Sequence, residues 1–168
     1  DTGQLKWHYQ CTPGDEWDYD AIQHLLLADV RINNRDRKVV MQANKNGYFY
    51  VIDRTNGEFI SASEMSLVSW ARGIDPKTGR PNVDPERKPG TNKTATFCPG
   101  LHGGKNWPPI AYSPQTRMIY IPANNNICGT LTGAPVTYTA GRGYTGTQRG
   151  GAAGRRREDR QCNNERHI

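Results

Sequence analysis

"KVVMQANKNGYFYVIDRTNGEFISAS" (residues 38–63) is the stretch that decides the fold class. It holds three short runs rich in β-formers, 38–43, 47–53 and 57–63. Asn46-Gly47 and Asn56-Gly57 separate the runs, and both pairs are hairpin signals. An antiparallel meander is the expected product. Two further runs, "PIAYS" (109–113) and "MIYIPA" (118–123), flank a Ser-Pro-Gln-Thr turn in the same manner. "AIQHLLLADV" (21–30) lacks the second apolar turn that a helix needs, so it reads as a strand ending at Asp29.

A weak repeat runs through these segments. "DTGQLKW" (1–7), "DRTNGEFIS" (53–61) and "DPKTGRP" (75–81) each place an Asp shortly before a turn. "SPQTRMIYI" (113–121) has the same shape, with Arg117 where a Gly would stand. Repeated hairpin units suggest propeller blades or a stacked β array. A blade takes roughly 40–50 residues, so 168 residues hold about three or four. A closed propeller needs more, and the abrupt start at Asp1 without Met also suggests an excised piece. Between Leu67 and Phe97 the pattern loosens into a Pro-, Gly- and Lys-rich stretch that reads as a long connecting excursion.

Composition narrows the function classes. Hydrophobic residues make up 35% of the chain, polar for a globular domain, but they cluster enough to exclude general disorder. No apolar run approaches the roughly 20 residues of a membrane span. The net charge of +6 is uneven, because residues 142–168 carry seven Arg against three acids. Such a tail could bind nucleic acid electrostatically. No aromatic follows Tyr144 to stack on bases, which favours a plain unpacked end over residues 146–168. The four Cys form no CxxC pair and the four His have no ligand spacing, which argues against zinc. Cys98 and Cys128 each lie beside strand-like segments and could pair, which would indicate an oxidising compartment.

The chemistry-bearing residues lie in three places. In "TPGDEWDYDAIQ" (12–23), Asp18 and Asp20 are two apart. In an extended chain both would face one side, with Tyr19 on the other. Two converging carboxylates repel unless a proton or cation lies between them, and a hard cation suits oxygen ligands. The plain alternative is an acidic turn in water. Lys45 stands in "ANKNGYFYVID", just before a hairpin. Asn106 and Trp107 follow Gly103-Gly104 in "LHGGKNWPP", where the glycines allow close backbone approach to a flat ligand. Trp is a good stacking platform. Taken singly, a solvated Lys and a core Trp are fair readings.

Taken in order, "KWHYQ", "DEWDYD", "NKNGYFYVIDRTNGE", "FCPGLHGGKNWPPIAYSP" and "IYIPANNNICG" resemble the quinoprotein alcohol dehydrogenases. These are the methanol and ethanol dehydrogenases that use pyrroloquinoline quinone (PQQ). The resemblance covers about residues 1–145 and implies an all-β fold, part of an eight-bladed propeller of four-stranded antiparallel sheets. Its blades carry a docking motif ending Gly-x-x-x-Trp, matched by Gly3 and Trp7 and degenerate at Ser61.

The resemblance also implies roles. Asp18 would be the catalytic base that takes the alcohol proton as hydride moves to PQQ. Lys45 would donate to the quinone oxygens, and Asn106 and Trp107 would contact the cofactor. Asp18 and Asp20 would be metal ligands, and Cys98–Cys128 a disulfide. Calcium-dependent members typically carry a small residue at the position of Asp20. The lanthanide branch carries Asp there, consistent with the extra anion that a trivalent ion favours. A lanthanide is therefore expected, with calcium as the alternative. The family's other metal ligands, a Glu and an Asn, lie upstream of Asp1. The implied setting is a periplasmic enzyme oxidising primary alcohols, with cytochrome c as acceptor and a homodimer in the full-length enzyme. The chain alone would be inactive. A non-catalytic propeller scaffold, or nucleic-acid binding through the tail, are the competing readings.

Overall fold

The computed structural model describes residues 2–148. The tail after Gln148, with six of the seven Arg and any nucleic-acid role, lies outside the described residues. Four strands, β1 (Leu26–Ile32), β2 (Arg35–Ala43), β3 (Tyr48–Asp53) and β4 (Phe59–Glu64), form one antiparallel sheet in the order β1-β2-β3-β4. This is a complete four-stranded blade. Three two-stranded pieces follow: β5 (Ala71–Ile74) with β6 (Pro81–Val83), β7 (Thr94–Phe97) with β10 (Gly129–Thr132), and β8 (Ala111–Ser113) with β9 (Met118–Tyr120). Among the described residues no helix is long and apolar enough to cross a membrane.

The stretch 38–63 folds as its sequence predicts, but β1 differs from expectation. It begins later, at Leu26, and runs past Asp29 to Ile32, which pairs with Arg35 across Asn33-Asn34. Both Asn residues are left-handed, with φ of 49° and 60°, which is the primed turn that matches strand twist. The stretch 67–97 also differs: it holds the β5–β6 hairpin, a 3-10 turn at Pro85–Arg87 and β7 rather than a featureless excursion. Strand pairing likewise reaches into the start of the expected tail, where Thr147 bridges Gly133 and the Gln148 amide donates to the Thr132 carbonyl.

The weak repeat is a structural unit. In the Asp53 and Asp75 turns the Asp carbonyl accepts the N–H of the Gly four residues on, at 2.9 Å for Gly57 and 2.8 Å for Gly79. The Asp carboxylates cap the turns, receiving Thr55 N–H in one and the Lys77 and Thr78 N–H groups in the other. In the fourth copy, Ser113 Oγ receives Thr116 N–H and Arg117 takes the left-handed place at φ 58°. The glycines leave room for aromatics of the preceding repeat. A Cβ at Gly57 would lie 2.9 Å from the Trp7 ring, and one at Gly79 2.8 Å from the Phe59 ring. Each aromatic thus covers the next repeat's turn, which is how adjacent units lock.

Left-handed backbone costs a side-chain-bearing residue roughly 1 kcal/mol, partly offset by the greater chain entropy that Gly loses on folding. Arg117→Gly is therefore expected to stabilise the protein by up to about 1 kcal/mol, read as a rise in the urea midpoint. No change or a fall would mean that this turn is not strained as its φ indicates.

Aromatic rings fill the core. Trp17, Tyr19, Tyr48, Tyr50, Trp70 and Phe97 are buried together, with Ala71 and Ala95 in the gaps. Trp70 sits centrally, with ring centroids 5.1 Å from Trp17, 5.6 Å from Tyr19 and 6.2 Å from Tyr48. Trp17 and Tyr19 therefore anchor the acidic segment to the β2–β3 hairpin end of the blade.

Candidate functional site

The site is built on the β2–β3 turn. Gly47 N–H donates to Asn44 C=O at 3.1 Å, and Gly47 is left-handed at φ 96°. Asn46 is fully buried and holds the turn rigid. Its side-chain oxygen receives Tyr48 N–H, and its Nδ2 donates to Tyr50 Oη and Thr12 Oγ1. Trp70 Nε1 donates to the Asn46 carbonyl at 2.8 Å. Lys45 N–H donates to Gln23 Oε1, and Gly104 N–H donates back to Lys45 C=O. Lys45 is therefore fixed at both ends of its peptide unit.

The Lys45 ammonium donates to both acids singled out in the sequence. Nζ lies 3.0 Å from Asp18 Oδ2 and 2.8 Å from Asp20 Oδ1. Its side chain is only 7% exposed, whereas those of Asp18 and Asp20 are 63% and 46% exposed. A buried cation thus reaches up to a carboxylate pair open to solvent. The cation between the carboxylates in this structure is an ammonium. The chain is not extended there either, because Asp18 is left-handed at φ 67°. The two carboxylates converge through that bend and through Lys45, not through strand alternation.

Burial opposes the charge on Lys45, but its hydrogen bonds to Asp20 and Asp18 outweigh that cost and hold its pKa above the ordinary 10.5. A raised lysine value means that the ion pairs stabilise the fold fully below pH 10.5. That stabilisation is lost as pH rises through the folded value. The urea midpoint is expected to fall more steeply from about pH 10 to about pH 12 in the wild type than in Lys45→Met. Parallel curves would mean that the pairs contribute nothing to folding.

The loop carrying Asn106 and Trp107 abuts Lys45. A Cβ on Gly103 would lie 2.3 Å from Lys45 Cγ, and one on Gly104 2.2 Å from Ser66 Oγ. Only glycine fits at either place. Asn106 Nδ2 donates to the His102 carbonyl, while its buried Oδ1 has no hydrogen-bond partner among the described residues. Trp107 is 77% exposed, outside the aromatic core. Asp18, Asp20 and Lys45 are thus in direct contact, and Asn106 and Trp107 lie on the loop packed against Lys45. Among the described residues no group of three or more His, Cys, Asp or Glu could hold a metal.

Cys98 and Cys128 form a disulfide that joins the end of β7 to the start of β10. Cys11 is the free cysteine among the described residues, and burial pushes its thiol up to about 12, so it stays protonated.

Sequence reasoning missed three residues. Lys105 is fully buried, donates to the Asn106 carbonyl at 2.8 Å, and has its pKa lowered by burial. Gln23 holds the Lys45 amide. Asp15 accepts backbone N–H bonds from Trp17 and Tyr19. Only Asp15 had a local signal, since an Asp two residues before an amide commonly forms such a turn.

Comparisons with known proteins show what the chain is similar to. The family model "PQQ: Glucose/ethanol/alcohol dehydrogenase, beta-propeller domain" matches residues 1–73. Quinohemoprotein alcohol dehydrogenase ADH-IIG of Pseudomonas putida is 50% identical over 128 residues, covering 74% of this chain and 18% of that protein. Lanthanide-dependent methanol dehydrogenase of Methylacidiphilum fumariolicum (strain SolV) is 40% identical over 148 residues, covering 87% and 24% respectively. A europium-containing methanol dehydrogenase structure superposes with a TM-score of 0.76 at 37% identity, over 80% of this chain and 23% of that one. The chain thus spans about a fifth of the length of the relatives it matches.

Proposed function

We propose, from the membership of this chain in the PQQ-dependent quinoprotein alcohol dehydrogenase family, that it carries the base and part of the cofactor and metal surround of an enzyme oxidising primary alcohols to aldehydes. The observation that carries this reading is the Lys45 ammonium spanning Asp18 and Asp20 at 3.0 and 2.8 Å.

PQQ, when bound, supplies a quinone that takes up a hydride equivalent. The chain's residues supply the rest. Asp18 is exposed, as a base that must reach an alcohol hydroxyl has to be. It accepts the hydroxyl proton on a carboxylate oxygen. Lys45 keeps positive charge beside it and, fixed at its peptide unit, stabilises anionic oxygens without reorganising. The Asn106 Oδ1, buried without a partner, is the kind of group that a bound ligand completes. Trp107 offers an exposed flat face for a planar ring system.

Asp18 and Asp20 suit one side of a hard-cation site. Both are carboxylates, and Oδ1 of Asp18 and Oδ2 of Asp20 receive no hydrogen bond from a described residue. They are the residues that would hold the ion. Asp20 adds the extra anion that favours a lanthanide over calcium. The Cys98–Cys128 disulfide supports an oxidising, periplasmic setting. Cytochrome c as acceptor and a homodimer complete the proposal.

The test is titration of the full-length enzyme that carries this chain with PQQ plus La³⁺ or Ca²⁺, followed by alcohol-dependent dye reduction. Activity is expected with La³⁺, and Asp20→Ala should lose it while retaining any response to Ca²⁺. Activity with Ca²⁺ alone, undiminished in Asp20→Ala, would overturn the lanthanide assignment.

A further inference from the structure

We propose that Asp15 is a positioning residue that sets the left-handed bend at Asp18 and so aims Asp18 and Asp20 at Lys45. Asp15 Oδ1 accepts Trp17 N–H at 2.8 Å and Oδ2 accepts Tyr19 N–H at 2.7 Å. One carboxylate therefore holds the amides on both sides of Asp18. Between them the backbone at Asp18 turns to φ 67°, a conformation that Asp tolerates but rarely adopts unaided.

The side chains that flank Asp18 are pinned as well. Trp17 Nε1 donates to the Arg87 carbonyl at 2.7 Å, and Tyr19 Oη donates to the Pro99 carbonyl at 2.5 Å. The two rings stack at 5.8 Å inside the core. Rings anchored on either side fix where the segment lies. They leave the direction of the intervening peptide free, and Asp15 fixes that direction. Glu16 has a different task, since it pairs with Lys88 at 3.3 Å on the surface. Asp15 and Glu16, adjacent in the chain, thus have separate tasks.

The hold on the backbone is independent of the reaction, but the catalytic consequence rests on Asp18 being the base. Asp15 makes no hydrogen bond to the base's side chain or to Lys45, but its charge interacts with both, so the test has to separate its hold on the backbone from its charge. A base misplaced by about 1 Å can cost on the order of 10²-fold in rate. Substrate affinity is set elsewhere and should be spared.

The test compares Asp15→Ala with Asp15→Asn, which removes the same charge but keeps one oxygen acceptor. Two readouts are needed: amide hydrogen exchange at Trp17 and Tyr19 in the chain, and kcat and KM in the PQQ- and metal-loaded full-length enzyme that carries it. Urea midpoints confirm folding. Asp15→Ala is expected to speed exchange at both amides and lower kcat on the order of 10²-fold with KM little changed, with Asp15→Asn between it and the wild type. Unchanged exchange and kcat in Asp15→Ala would overturn the role. So would equal losses in the two variants, since charge alone would then be the cause. Asp18→Asn separates the two premises. If it keeps wild-type kcat, the base reading fails and the catalytic role of Asp15 with it, while faster exchange would still be expected in Asp15→Ala.

Discussion

Asp18→Asn is expected to lower kcat by about 10²- to 10⁴-fold while leaving the fold and PQQ binding intact. Asn is nearly isosteric with Asp and tolerates left-handed backbone, so the φ of 67° survives the change. Its side-chain oxygen can still accept from Lys45, and Asp20 keeps the second hydrogen bond at 2.8 Å. What disappears is the ability to accept a proton, because a carboxamide is not a base at neutral pH. Steady-state kinetics with a primary alcohol and an artificial acceptor, beside a cofactor-binding titration, separates the two effects. Retained binding with lost turnover supports the base assignment. Retained turnover removes Asp18 from the chemistry and leaves the acidic segment with a structural task.

The second large effect is on stability. Trp70→Ala is expected to cost about 3–5 kcal/mol, the range for deleting a large aromatic from a packed core. Trp70 is fully buried and touches the rings of Trp17, Tyr19 and Tyr48. Its Nε1 also caps the carbonyl of Asn46, next to Lys45. The loss therefore spreads into the site, because the same ring supports the acidic segment and the Lys45 turn. Trp70→Phe keeps a ring but abandons the Asn46 carbonyl, and should cost less. Urea denaturation monitored by far-UV circular dichroism measures both. A cost below about 1 kcal/mol for Trp70→Ala would contradict the central place given to this ring.

Much of the fold was legible because its turns carry local chemistry. Asn46-Gly47 and Asn56-Gly57 mark two hairpins, and Gly47 and Gly57 take the left-handed positions they were expected to fill. An Asp shortly before each turn announced the repeat, including the imperfect copy where Ser113 leads and Arg117 stands in place of a Gly. The β1–β2 turn was missed because Asn33-Asn34 is a weaker signal than Asn-Gly, although both of its central residues are left-handed. The β5–β6 hairpin was missed because each strand is only three or four residues long and sits among prolines.

The site was legible in its members but not in its geometry. Asp18, Asp20 and Lys45 were all named from the sequence. Their contact depends on closure over more than 20 residues, which no local period encodes. The alternation rule assumed an extended chain at Asp18, and the Asp15 turn breaks that assumption. The place of Lys45 between the carboxylates was not legible, because a Lys in a polar turn looks solvated until Gln23 and the Gly103 loop are seen to enclose it.

The most direct measurement is a single turnover. The full-length enzyme that carries this chain is loaded with PQQ and La³⁺ without oxygen and mixed with a primary alcohol, and the absorbance of bound cofactor is followed. The account predicts that the wild type reduces the bound cofactor and that Asp18→Asn binds it equally well but leaves it oxidised. Failure of the wild type to bind PQQ, or reduction at equal rates in the two proteins, would contradict it.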